Sequence, residues 1–182
     1  AASDVYKRQE YAYDKNGNAV SMTDGNGNKT TYTYDAENKL TKTVTPEGNT
    51  TELVYDAAGR MTKIINANGN EMGLSYDADG NATGMTDGNG YETAYEYDAL
   101  GRISKQTNPD GTSRSYTYDA NGNITSVTDE RGNATTYTYD TEDRLLSVTD
   151  PEGGAVVYTY TAAGQLASAK DQNGAVTAYT YD

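Results

Sequence analysis

Twenty-seven Asp and Glu and eighteen Tyr are the side chains with which this chain could do chemistry, because His and Cys are absent. Without imidazole or thiolate the usual nucleophile–base pairings are closed, and every Ser stands without a His partner. Three chemistries stay open. Paired carboxylates could serve as the acid and base of a glycosidase. Asp-rich loops such as Asp24-Gly25-Asn26-Gly27-Asn28 and Asp87-Gly88-Asn89-Gly90 offer oxygen donors for calcium. Calcium takes roughly six to eight oxygens, however, and these loops lack the alternating ligands and closing bidentate Glu of an EF-hand. A row of tyrosines could stack on sugar rings, or it could pack one face of a sheet.

Spacing weighs between these readings. Tyr-Asp steps fall at Tyr13-Asp14, Tyr34-Asp35, Tyr55-Asp56, Tyr76-Asp77, Tyr97-Asp98, Tyr118-Asp119, Tyr139-Asp140 and Tyr181-Asp182, and Tyr160-Thr161 is the one missing beat. Every interval is 21 residues or a multiple of it, so eight complete units fill residues 13–180. A period of this length signals a repeat architecture. Catalytic and metal sites are singular, whereas here nearly every Asp recurs each period. The expectation is therefore no catalytic, cofactor-binding or metal residue, and a chain that is not an enzyme.

Composition narrows the partners. The net charge of -13, with 27 acidic against 14 basic residues, disfavours nucleic acid and anionic membrane, both of which need a basic footprint. No apolar run approaches the ~20 residues of a membrane span. With Phe and Trp also absent, Tyr must supply much of any buried area.

The elements that would position these residues follow from numbering each unit from its Tyr as position 1. Position 15 is glycine throughout: Gly27, Gly48, Gly69, Gly90, Gly111, Gly132, Gly153 and Gly174. Position 5 is glycine in six units and Asn38 or Asp143 in the others, the residue types that best tolerate a left-handed backbone. Pro46, Pro109 and Pro151 all fall at position 13, and Asp150-Pro151-Glu152-Gly153 has the form of a type I turn. A second turn, as in Asp119-Ala120-Asn121-Gly122, lets the Asp side chain accept the N–H two residues on.

Strands lie between the turns. Positions 17 to 22 alternate, with Tyr137 and Tyr139 on one face and Thr136 and Thr138 on the other. Positions 6 to 11, such as Asn123 to Thr128, form the partner strand. Its apolar sites, 7 and 10, have opposite parity, so either a bulge intervenes or both faces are partly covered. The fold class expected is all-β: tandem 21-residue hairpins, roughly sixteen strands in all, forming an antiparallel sheet. A sheet of that width coils rather than staying open, and the tyrosine side is expected inside. The second candidate is a β-solenoid with one coil per unit. Residues 1–12 read as an irregular leader in which Ser3 to Gln9 look like translated adapter sequence. Residues 13–182 read as a fragment of a longer array.

The phrase Gly-Asn-x-Thr-x-Tyr-x-Tyr-Asp-x-x-Gly-Arg, seen around Tyr95-Glu96-Tyr97-Asp98-Ala99-Leu100-Gly101-Arg102-Ile103, resembles the Rhs or YD repeat. The resemblance covers residues 13–182. It implies a spiralling sheet that encloses a hollow shell, as in bacterial Rhs and wall-associated polymorphic toxins, Tc toxin B and C components, and teneurins. It further implies a secreted or cell-surface bacterial protein whose shell holds a C-terminal toxic domain, released by autoproteolysis. The core segment with its Asp-Pro-x-Gly signature is not visible here; Asp150-Pro151-Glu152-Gly153 is in phase with the repeats and reads as a turn. The chain is therefore expected to be a non-catalytic segment of shell whose partner is the rest of its own polypeptide. The alternative is a surface adhesion or glycan-binding module using exposed tyrosines such as Tyr91.

Overall fold

The computed structural model describes residues 8–182, so the adapter-like reading of Ser3 to Lys7 lies outside the described residues. The chain divides into two compact units, with the boundary between Glu92 and Thr93. The first holds β1 (Glu10–Tyr13), β2 (Ala19–Thr23), β3 (Lys29–Tyr34), β4 (Leu40–Val44), β5 (Thr50–Tyr55), β6 (Met61–Ile65), β7 (Glu71–Tyr76) and β8 (Ala82–Thr86). β9 (Glu92–Tyr97) begins at the boundary residue and otherwise lies in the second unit, followed there by β10 (Ile103–Thr107), β11 (Ser113–Tyr118), β12 (Ile124–Thr128), β13 (Ala134–Tyr139), β14 (Leu145–Thr149), β15 (Ala155–Tyr160), β16 (Leu166–Lys170) and β17 (Val176–Ala178). Glu10 to Ala12, placed in the leader on sequence grounds, form β1 with Tyr13 and pair with β2.

Within each unit every strand pairs antiparallel with the next in sequence, as Tyr137 with Val148 and Val127 with Thr135. This overturns the solenoid alternative, which would stack equivalent positions of successive coils in parallel. The hairpins follow from the turns: Asp, two loop residues and a residue with positive φ make three-residue connections, a type I turn closed by a left-handed residue.

The parity conflict is resolved by a bulge in every second pairing. In β13–β14, Thr138 opposes Ser147 but Tyr139 opposes Leu145, which leaves Leu146 as the extra residue. Equivalent shifts occur at Tyr34, Tyr55, Tyr76 and Tyr118. The inserted residue brings positions 7 and 10 onto one face, so that Leu145 and Val148 join Tyr137 and Tyr139. Hydroxyl residues occupy the other face and pair across strands, Thr138 with Ser147 and Thr159 with Ser168, each at 2.7 Å.

Among the described residues no apolar side chain is fully buried. Each unit is held by nearest-neighbour ladders, turns and partly covered rows, as in other repeat proteins in which each unit contacts only its neighbours.

Candidate functional site

The recurrent Asp residues bind their own turns. In the turn that begins at Asp119, the Asp119 N–H donates to the Asn123 carbonyl at 3.0 Å and the Gly122 N–H to the Asp119 carbonyl at 3.2 Å. Oδ1 of Asp119 accepts the N–H of Asn121 at 3.0 Å and of Asn123 at 2.8 Å, while Oδ2 accepts the Asn123 amide at 3.0 Å. The turn on the opposite edge, at Asp129, repeats this with Arg131 and Asn133. These bonds favour the charged form: the Asn123 amide holds the Asp119 carboxyl below its ordinary range, and the Arg102 backbone N–H does the same for Asp98. Asp14, Asp35, Asp56, Asp77 and Asp140 accept the equivalent backbone N–H four residues on. Asp182 follows Tyr181 outside any strand.

All eight position-15 glycines lie at φ between 79° and 90°. At position 5, Asn38 and Asp143 take the left-handed conformation too, at 64° and 60°.

Of the tyrosines that open each unit, Tyr34, Tyr55, Tyr76, Tyr118, Tyr160 and Tyr181 donate their hydroxyls to the carbonyls of Ala19, Leu40, Met61, Ile103, Leu145 and Leu166 at 2.7–3.0 Å. Burial pushes the Tyr139 hydroxyl up, with Tyr137 and Asp119 adding to it. Tyr13 stacks on Tyr11, ring centroids 6.3 Å apart. Tyr97 closes β9 opposite Ile103.

Position 6 was not singled out from the sequence, although Gly-Arg recurs in the repeat phrase. Arg60 gives Nε to Asp56 and Nη1 to the Asp77 carbonyl, and its guanidinium lies 4.7 Å from the Tyr76 ring centroid. Arg102 does the same with Asp98, the Asp119 carbonyl and Tyr118. Arg144 pairs with Asp140 and covers Tyr160, while Lys39 covers Tyr55.

These commitments bear on the chemistries the residue types allow. A concavity of about 420 Å³ holds Asp35, Glu37, Asp56, Lys39 and Tyr55. Asp35 and Asp56 are tied to their turns and Glu37 is paired with Lys39. Among the described residues no group of three carboxylates is arranged to hold a metal ion. A second, apolar depression of about 210 Å³ is lined by Ile64, Met72, Leu74 and Met85.

The RHS Repeat family model matches residues 13–50, 35–71, 76–113 and 118–155, which is more than half of the chain. The chain belongs to the RHS repeat family. Solved RHS-like folds agree. A TcdB2-TccC3-Cdc42 structure superposes with a TM-score of 0.64 at 21% identity, covering 93% of this chain and 12% of that one. A TcdB2-TccC3 structure gives 0.64 at 18% identity, covering 96% of this chain and 11% of its own. A Photorhabdus luminescens Tc holotoxin pore gives 0.63 at 21%, covering 93% and 11%. This RHS segment thus spans about a tenth of the chains it resembles, and the likeness establishes the fold: an all-β run of tandem hairpins, a structural repeat segment. A comparison with curated proteins gives no match.

Proposed function

We propose that this RHS segment is a non-catalytic section of shell wall in a large secreted or cell-surface bacterial protein, and that the shell encapsulates a C-terminal toxin domain. The observation that carries the reading is the combination of tandem hairpins with the lack of any fully buried apolar side chain among the described residues. A sheet of this kind is suited to walling a chamber, with its tyrosine face toward the interior and further repeats of the same polypeptide at its edges. The commitment of the recurrent carboxylates to their turns supports a scaffold rather than a reaction centre.

Limited proteolysis of the intact protein tests it. The region that follows the repeats should resist protease while the shell is whole and should be toxic to cells when expressed alone. A C-terminal region cleaved as readily as an exposed tail would contradict encapsulation. One observation favours a second reading, glycan binding at the cell surface: Tyr91, which closes the turn that begins at Asp87, is 62% exposed. Saturable oligosaccharide binding that is lost in Tyr91→Ala would support that reading.

A further inference from the structure

The residue at position 6 carries several turns on one edge into the next repeat in two different ways, while Asn81 bonds its own Asp77. In the cationic form, Arg60 and Arg102 bind their own Asp and reach the backbone carbonyl of the next one at 3.0 Å. The cationic heads of Lys39, Arg60 and Arg144 lie beside the next position-5 glycine, whereas Gly122, which follows Arg102, has nothing within 4 Å of an added Cβ. A Cβ on Gly59 would lie 3.2 Å from Lys39 Nζ, on Gly80 3.8 Å from Arg60 Nη1, and on Gly164 3.6 Å from Arg144 Nη1.

In the amide form, position 5 of the next repeat has a side chain and it points back. Asn18 Nδ2 donates to Asp14 Oδ2 at 3.0 Å and to Asn38 Oδ1 at 2.8 Å, and Asn16 Nδ2 reaches the same oxygen at 2.9 Å. Asn123 Nδ2 donates to Asp119 Oδ2 at 3.0 Å and to Asp143 Oδ1 at 2.7 Å, with Asn121 Nδ2 at 2.8 Å. Asn38 and Asp143 are the non-glycine residues with positive φ among those described. Each therefore stands where a pair of amides precedes it.

We infer that positions 4 to 6 of one repeat and position 5 of the next form a matching code that selects which repeat can follow which. An Asn pair at positions 4 and 6 fits a repeat with Asn or Asp at position 5; Arg or Lys at position 6 fits a repeat with Gly there. Every repeat offers its neighbour the same antiparallel backbone ladder, so the ladder alone does not distinguish one repeat from another as a docking partner. A repeat docked out of order leaves two amides facing a glycine, or sets a side chain where a cation covers a tyrosine. That is discrimination by mismatch.

A double-mutant cycle on the full chain tests this, with urea unfolding as the readout. Glycine is the residue a left-handed site favours most, so without the code Asp143→Gly raises stability in any background. The code predicts the opposite: Asp143→Gly lowers the folded-to-unfolded ratio roughly tenfold in the parent, as expected for hydrogen bonds to a charged acceptor. The loss should shrink in an Asn121→Ala background, and Asp143→Asn should keep most of the coupling, as Asn38 does naturally. The same cycle with Asn16→Ala and Asn38→Gly gives a second reading if the first set folds poorly. A stability gain from Asp143→Gly in the parent, or equal effects in both backgrounds, would overturn the inference.

Discussion

The hydroxyl of Tyr118 donates to the backbone carbonyl of Ile103, 2.7 Å away and 15 residues earlier in the chain. Ile103 opens β10 beside the bulge, where the pairing with β9 jumps from Ile103 to Lys105. The pairing of β10 with β11 runs only from Lys105 to Thr107, so the Ile103 carbonyl lies off that ladder. The phenol supplies a donor there. The bulge that gathers the apolar positions onto one face thus leaves a carbonyl in need of a donor, and tyrosine answers it where phenylalanine could not.

Tyr118→Phe keeps the ring and removes this one bond. It should cost about 1 kcal/mol of unfolding free energy. Tyr137→Phe, on the same face two residues before Tyr139, should cost less. Chemical denaturation of the two variants checks the difference.

Gly132 has φ of 84°, and nothing lies within 4 Å of a Cβ added there. The cost of Gly132→Val is therefore conformational rather than steric crowding, roughly 1–3 kcal/mol for a branched residue in the left-handed region. Gly132→Asn should cost less, since Asn38 occupies the equivalent conformation in the other turn. Unchanged thermal unfolding of the Val variant would remove the turn assignment.

Arg102→Leu loses the ion pair to Asp98, the bond to the Asp119 carbonyl and the contact with Tyr118, whose centroid is 4.4 Å from the guanidinium. A destabilisation of about 1–2 kcal/mol is expected, measured by urea unfolding. Arg131→Leu, at the exposed tip of the turn that begins at Asp129, should stay within about 0.5 kcal/mol of the parent.

Stability should fall in acid. Asp56, Asp98, Asp119 and Asp140 are held below the ordinary carboxylate range, chiefly by the Arg60, Arg102 and Arg144 backbone N–H groups and by the Asn123 amide. A group whose folded pKa is depressed contributes above its unfolded value, about 3.9, and the contribution is lost as pH falls through that value toward the folded one. Protonation also relieves repulsion in a chain of net charge -13, which acts the other way. The local bonds are expected to win, so the urea midpoint should drop between pH 5 and pH 3. A midpoint that rises over that interval would show self-repulsion to be the larger effect.

Much of the fold was legible because period, turn chemistry and strand alternation all point the same way. The turn at Asp119 and the alternation through Tyr139 could be read from residue types alone. The placement of the bulge could not: the opposite parity of Leu145 and Val148 signalled a conflict, but only the pairing of Tyr139 with Leu145 shows how it is resolved. The site was less legible. Turn chemistry predicts that Asp119 holds the N–H two residues on, which it does, but its larger set of contacts runs to Asn123, four residues on. Arg102 carries no sequence signal of its role because its partners, Asp98 behind and Asp119 ahead, meet only once two hairpins lie side by side. Interactions between repeats leave no spacing signal beyond the period that already accounts for everything else.

The most direct test of the central claim is a cryo-EM reconstruction of the intact protein that contains this segment. The account predicts consecutive hairpins from Tyr13 to Tyr181 forming part of a continuous wall around a chamber, with the tyrosine row facing the enclosed space. Hairpins forming an open rod with no chamber, or a tyrosine row facing bulk solvent, would contradict it.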